Sequence, residues 1–373
     1  MMSNKKYSVL LSALFCAFIG GICIVSLLLP KKEFSELENR YLSKAPELSI
    51  ESLKDGSFME NSENFTADHI VGRDFWVSMK SWCERFTGKQ ENNGVYFAQG
   101  GALINRVDEP DPQHLDKGIQ SLNALAEQSP VPVHFGLIPS AAAIWRDRLP
   151  AGAPTADELA IIDRLYSSTK AGTVDVAAAL AAHAAEDLYY RTDHHWTSLG
   201  AFYGANAILD SMDLEPLNLD DYQKTTVSDS FNGTIFSSSG VRWVQPDTID
   251  TYVSGEGVSV TSYFNGKPAE GALYFPEKLE KKDKYTFFLG GNQPLCVIKA
   301  ENDGPKVLVI RDSYSDSLAP FLTERFSEIH LFDLRYNLNS IQKYIQENGI
   351  DQVLVLYSFN NFATDTHLSL LGK

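Results

Sequence analysis

Cysteine is scarce in this chain: 373 residues hold four, and Cys16 and Cys23 fall inside one apolar run near the amino terminus. The remaining pair, Cys83 and Cys296, is too little for a disulfide scaffold, so a large core must supply the stability; a single bridge between them is compatible with the sequence but not implied by it. Positive charge is also short. Lys and Arg number 32 against 48 Asp and Glu, a formal net charge of −16, which disfavours nucleic acid and anionic lipid surfaces as partners. No internal repeat or low-complexity tract is visible, and the shares of hydrophobic (44%) and charged (21%) residues are those of an ordinary globular protein.

One long hydrophobic run is present. Asn4-Lys5-Lys6 precedes an almost unbroken apolar stretch, Tyr7 to Leu29, long enough as a helix to cross a bilayer. The run ends Leu27-Leu28-Leu29-Pro30 with no small-residue cleavage site, so residues 1–30 are expected to be a retained anchor rather than a cleaved signal. Phe15 and Ile22 stand before Cys16 and Cys23 where a lipoprotein signal needs a small residue. The leading lysines favour a cytoplasmic amino terminus, which makes this a single-pass protein of the cell membrane with its domain on the extracytoplasmic side.

Residues 31–64 read as a polar stalk that docks onto the domain, and 65–373 as one α/β domain. Phe75, Met79, Trp82 and Phe86 recur at three and four spacing, which predicts a helix over 65–87 with these side chains in the core. Glycines around Val95 and Leu103 signal a hairpin. From residue 114 strands and helices alternate: strand 131–138, helix 157–166, strand 173–176, then strands at 306–310, 330–332 and 352–357 with helices between. Near-continuous apolar strands imply a mostly parallel sheet covered on both faces. Residues 218–300 differ. They are rich in Thr, Ser, Tyr and Gly, with turns at Asn232-Gly, Ser254-Gly and Asn265-Gly, and read as an antiparallel β-rich insertion.

Chemistry-bearing residues gather at predicted strand and helix ends. In Asp193-His194-His195-Trp196, just before a helix capped by Thr197, an extended backbone would put Asp193 and His195 on one face and His194 on the other. His195 is then the base and Asp193 its orienting partner, although a polar capping cluster has the same residues. Ser313 follows the strand Val307-Leu-Val-Ile310 and opens a helix, the position of a nucleophile and equally of an N-cap. Asn360 and Asn361 follow the last strand, where an asparagine can donate to an oxyanion or merely form a turn.

Asp193-His-His-Trp196, with Phe34-Ser-Glu-Leu-Glu-Asn-Arg40, Asn93-Gly-Val-Tyr96, Asp312-Ser313 and Asp333-Leu-Arg335-Tyr336, resembles the bacterial DHHW family over nearly the whole chain. That family is similar to the AlgX/AlgJ group of alginate O-acetylation proteins, and through them to SGNH (GDSL-type) hydrolases. The resemblance implies an SGNH-like three-layer sandwich with the Asp-His element ahead of the serine. It also implies a Ser313, His195 and Asp193 triad, and transfer or hydrolysis of acetyl esters on cell-surface polysaccharide. No cofactor and no metal are implied, and a transferase of this kind would need a membrane partner that exports acyl groups.

Arg311-Asp312-Ser313-Tyr314 departs from the Gly-Asp-Ser-Leu form of the nucleophile block. Gly291, within Gly290-Gly-Asn292, is a candidate oxyanion glycine, and Asn360 is preferred over Asn361 as the terminal asparagine. Arg335 is a candidate substrate contact, with an ion-paired surface arginine as the competing reading. Two rival functions remain. One is a metal site at Asp193, His194 and His195, although adjacent histidines do not both face one ion from an extended strand and no distant His or Cys set is apparent. The other is a catalytically silent, membrane-tethered carbohydrate-binding or scaffold protein, with Trp243 and Tyr252 as exposed aromatics.

Overall fold

Val307 to Ile310 and Val353 to Leu356 lose all contact with solvent, which is what unbroken apolar strands do when both faces of their sheet are covered. They form the centre of an eight-stranded sheet in a computed structural model that describes residues 4–264 and 266–373. The first three residues of the expected anchor and Asn265 of the Asn265-Gly266 turn lie outside the described residues. Contacts divide the molecule into two compact units, one within Met1–Lys89 with Gly240–Arg242, the other Gln90–Ser239 with Trp243–Lys373.

The first unit is helical. Helix α1 (Asn4–Leu28) includes a 24-residue span, Lys5–Leu28, long and apolar enough to cross a membrane. The segment expected as a stalk contains a short helix, Ile50–Lys54, and the start of α2 (Ser57–His69). The helix predicted over 65–87 is in fact two, because Gly72 adopts a left-handed conformation (φ 69°) between α2 and α3 (Arg73–Phe86). Phe34-Ser-Glu-Leu-Glu-Asn-Arg40 acts as a clasp. Arg73 reaches Glu38 through two nitrogens at 2.6 and 2.9 Å, while Arg40 and Ser43 hold the buried Asp68 carboxylate. The aromatic stripe of α3 is not core: Phe75, Met79, Trp82 and Phe86 are 57%, 40%, 54% and 93% exposed.

The second unit is α/β. Its main sheet comprises β1 (Val133–Ile138), β2 (Gly172–Val174), β3 (Val258–Phe264), β4 (Lys267–Gly271), β5 (Leu295–Ala300), β6 (Lys306–Arg311), β7 (Glu328–Phe332) and β8 (Gln352–Ser358). They run in the order β4-β3-β5-β7-β6-β8-β1-β2. The five strands from β7 to β2 are parallel, and β4, β3 and β5 extend one edge antiparallel. The β-rich region therefore splits: β3 to β5 widen the main sheet, while Thr225–Phe231 and Asp247–Thr251 pair as a separate ribbon. Helices α4 (Pro112–Gln128), α5 (Glu158–Ser168), α6 (Ser198–Ser211), α7 (Ser315–Leu322) and α8 (Ile341–Asn348) intervene. The hairpin near residue 95 is present, with Val95–Phe97 antiparallel to Leu103–Asn105.

Candidate active site

Ser313 leaves the end of β6 one residue after Asp312 and two before α7 begins. The Asp312 carboxylate is fully engaged. One oxygen accepts from Tyr314 N at 3.0 Å, and the other from Ser358 N (2.8 Å), Ser358 Oγ (2.7 Å) and Asn361 Nδ2 (2.7 Å). A carboxylate with this many donors is locked; it pins the serine turn to the end of β8. Arg311, wholly buried, turns to Asp316 in the first turn of α7 (2.7 Å) and to Asn292 Oδ1 (3.4 Å). The arginine that distinguishes this serine block is thus a structural member. Burial pushes Asp316 up to about 6 despite that partner.

The Asp193 and His195 side chains meet on a bend rather than on an extended strand. His195 N donates to Asp193 Oδ1 at 3.0 Å, an Asx-type turn, and Tyr190 N donates to His195 O to close the loop. The same Asp193 oxygen lies 2.6 Å from His195 Nδ1, and His195 Nε2 lies 2.7 Å from Ser313 Oγ. The carboxylate fixes the proton on Nδ1 and leaves Nε2 to accept from the serine. Asp193 is 3% exposed. Burial raises its proton affinity, but His194, His195 and the Thr234 N–H outweigh it and hold the carboxyl well below the ordinary carboxylate range. Ser313 caps nothing with its side chain, which goes to the imidazole.

Several supports come from far along the chain. Tyr285 stacks on the His195 ring (centroids 3.7 Å, planes 8° apart), and its hydroxyl donates to Ser313 O at 3.0 Å and meets Ser317 Oγ at 3.0 Å. Thr234 gives its N–H (2.7 Å) and hydroxyl (2.9 Å) to Asp193 Oδ2, and that hydroxyl also meets His194 Nδ1. Gly233 leaves room for this, since a Cβ there would sit 2.2 Å from Asp193 Cβ. Trp196 packs against Gly204 of α6, where a Cβ would come within 2.6 Å of its ring, and its Nε1 donates to Tyr314 O and Ser317 Oγ. His194 is half-buried, and burial and His195 lower it to about 4.

Asn360, Gly291 and Arg335 complete the set of residues named from the sequence, and Arg335 is ion-paired. Ser358 accepts from Asn361 N and caps the short helix Phe359–Phe362, so Asn361 turns inward to Asp312 while Asn360 is exposed. The side chain that reaches the serine block is therefore that of Asn361. Gly291 has φ 104° in the turn before β5, and its link to the serine block runs through Asn292 and Arg311. Arg335 forms a two-pronged pair with buried Asp333 at 2.9 and 2.6 Å, and with Asp312, Tyr357, Asn361 and His367 it lines a cavity of about 300 Å³. Asp193, His194 and His195 offer ligand atoms within 4.8 Å of one another. Those of Asp193 and His195 are already committed to each other, Ser313 and Thr234, so a metal ion would have to break these bonds.

Tyr285, Thr234 and Gly233 act across long separations, and the Asn232-Gly233 turn is the local signal the sequence carries for them. Among solved structures, a DHHW family protein from Eubacterium siraeum is 26% identical, covering 75% of this chain and 95% of that one with a TM-score of 0.65. Bacillus cereus PatB1, solved with a sulfonyl adduct, is 20% identical over 75% and 98% with a TM-score of 0.61. The O-acetyltransferase domain of Pseudomonas putida AlgJ is 13% identical over 75% and 98%, with a TM-score of 0.45. No curated protein matches. The DHHW protein family matches residues 137–332, more than half the length and including both the Asp-His-His-Trp loop and Ser313, and the chain belongs to that family.

Proposed function

We propose that this protein is a serine-dependent O-acetyltransferase or acetylesterase acting on cell-surface polysaccharide outside the cytoplasm, tethered by α1. Its catalytic plan is of the SGNH type, with the Asp-His element ahead of the serine. The observation that carries the reading is the unbroken relay from Asp193 Oδ1 to His195 Nδ1 and from His195 Nε2 to Ser313 Oγ, at 2.6 and 2.7 Å.

In this mechanism His195 Nε2 takes the Ser313 proton as Oγ bonds to the acetyl carbonyl carbon. Tyr314 N and Ser315 N are already held by Asp312. The Ser313 N–H, which bonds to none of the described residues, is then left available to the developing oxyanion. As the ester C–O bond breaks, His195 returns its proton to the leaving oxygen, and Ser313 keeps the acetyl group. A sugar hydroxyl or water, deprotonated by His195, then takes the acetyl group and restores the serine. Asp193 stays ionised throughout and steadies the imidazolium. Ser313→Ala, folded by circular dichroism, is expected to lose turnover of an aryl acetate. Turnover equal to the parent's would refute the proposal, and glycan binding without esterase activity in the parent would favour the silent scaffold.

A further inference from the structure

Helix α3 turns its apolar side outward. Phe75, Met79, Trp82 and Phe86, spaced 4, 3 and 4, share a stripe narrower than about 100° on a helical wheel, and Phe86 is 93% exposed. Cys83 borders the stripe and is exposed as well. The opposite side is the packed one: Ser81 is buried, Val77 and Glu84 are half-buried, and Arg73 pairs with Glu38 of the clasp at 2.6 Å. A helix that packs through serine and salt bridges while displaying Phe, Met and Trp is inverted relative to a core helix.

What covers this stripe is indicated by its attachment. Val71 N, two residues before α3, donates to Ser26 Oγ in the last turn of α1 at 2.9 Å, and His69 Nε2 meets Lys32 O at 3.2 Å. The start of α3 is thereby fastened at the level where the apolar run of α1 ends. If α1 spans the bilayer, that level is the membrane–water interface, where Trp and other aromatic side chains concentrate. We infer that α3 is an interfacial helix, lying on the outer leaflet with Phe75, Met79, Trp82 and Phe86 among the lipid headgroups and upper acyl chains. This rests on the anchor reading of α1. With a net charge of −16, attachment would be apolar rather than electrostatic, and zwitterionic lipid suffices.

The test uses the full chain reconstituted in phosphatidylcholine vesicles. An environment-sensitive fluorophore is placed on Cys83 after Cys16→Ala and Cys23→Ala, leaving only buried Cys296 besides it, or at Glu84→Cys with Cys83→Ala. Spin-labelled lipid is expected to quench the label at 83 roughly threefold more than at 84, with a blue-shifted emission. The triple variant Phe75→Ser, Met79→Ser and Phe86→Ser should erase the difference and leave aryl acetate turnover in detergent unchanged. Equal, water-like signals at 83 and 84 from chain that resists an alkaline wash would overturn the inference while sparing the anchor; chain that washes off would overturn both. Quenching at 83 that persists in the triple variant, or self-quenching that tracks protein density in place of lipid quenching, would also overturn it, the latter in favour of a second copy.

Discussion

Two segments meet at the Ser313 hydroxyl, the loop that carries His195 and the turn that carries the serine, and each is organised around one buried aspartate. Asp193 accepts from two backbone N–H groups and a hydroxyl, yet keeps an oxygen 2.6 Å from an imidazole. Asp312 accepts only from groups that never titrate in a working range, joining the ends of β6 and β8. An aspartate near the serine thus takes its role from its partners, not from its distance along the chain. One faces an imidazole; the other fixes a backbone.

Substitutions that separate the two roles sharpen this contrast. Asp193→Asn should lower kcat on an aryl acetate by about 10⁴-fold with little change in KM, because the wrong imidazole tautomer is favoured; steady-state kinetics on folded protein measures it. Asp312→Ala should act instead on stability. Its removal orphans Tyr314 N, Ser358 N and the Asn361 amide in a buried place, a loss of about 4 kcal/mol in denaturant unfolding. If Asp312→Ala proved as stable as the parent, the assignment of roles would be wrong.

Glu158 supplies a third buried carboxylate for comparison, with Ser140 N and Oγ as partners and no cation among the described residues. Burial pushes it up to about 7 from 4.5. A raised carboxyl pKa means that the folded state holds the proton more tightly. Its stability contribution is therefore full below the unfolded value and is lost as pH rises through 7. The loss should be about 3 kcal/mol. Glu158→Gln should flatten that part of the stability profile between about pH 5 and about pH 8, measured by unfolding at each pH. The smallest effect expected is at Tyr285→Phe, which keeps the ring stacked on His195 and loses one hydroxyl. Roughly a fivefold fall in kcat follows from about 1 kcal/mol of positioning, whereas Tyr285→Leu, which also removes the stack, should fall further.

Much of this was legible in the sequence. The unbroken apolar run Val307 to Ile310 reads as a central parallel strand, and all four residues are buried; Thr197 caps α6 where the chain needs an N-cap, accepting from Gly200 N. Other features were not. Periodicity marks one face of α3 as apolar but carries no information on what covers it, so an outward stripe reads as core. Asn360 and Asn361 differ by one residue, and only the Ser358 cap decides which turns inward. Tyr285 and Thr234 lie in a stretch with no periodic signal, and their partners are decided by tertiary packing.

Whether Ser313 is an activated nucleophile is tested most directly by peptide mapping after treatment with an aryl sulfonyl fluoride. A sulfonyl adduct is expected on Ser313, strongly diminished in His195→Ala; no adduct at Ser313, or equal labelling with and without His195, would contradict that role.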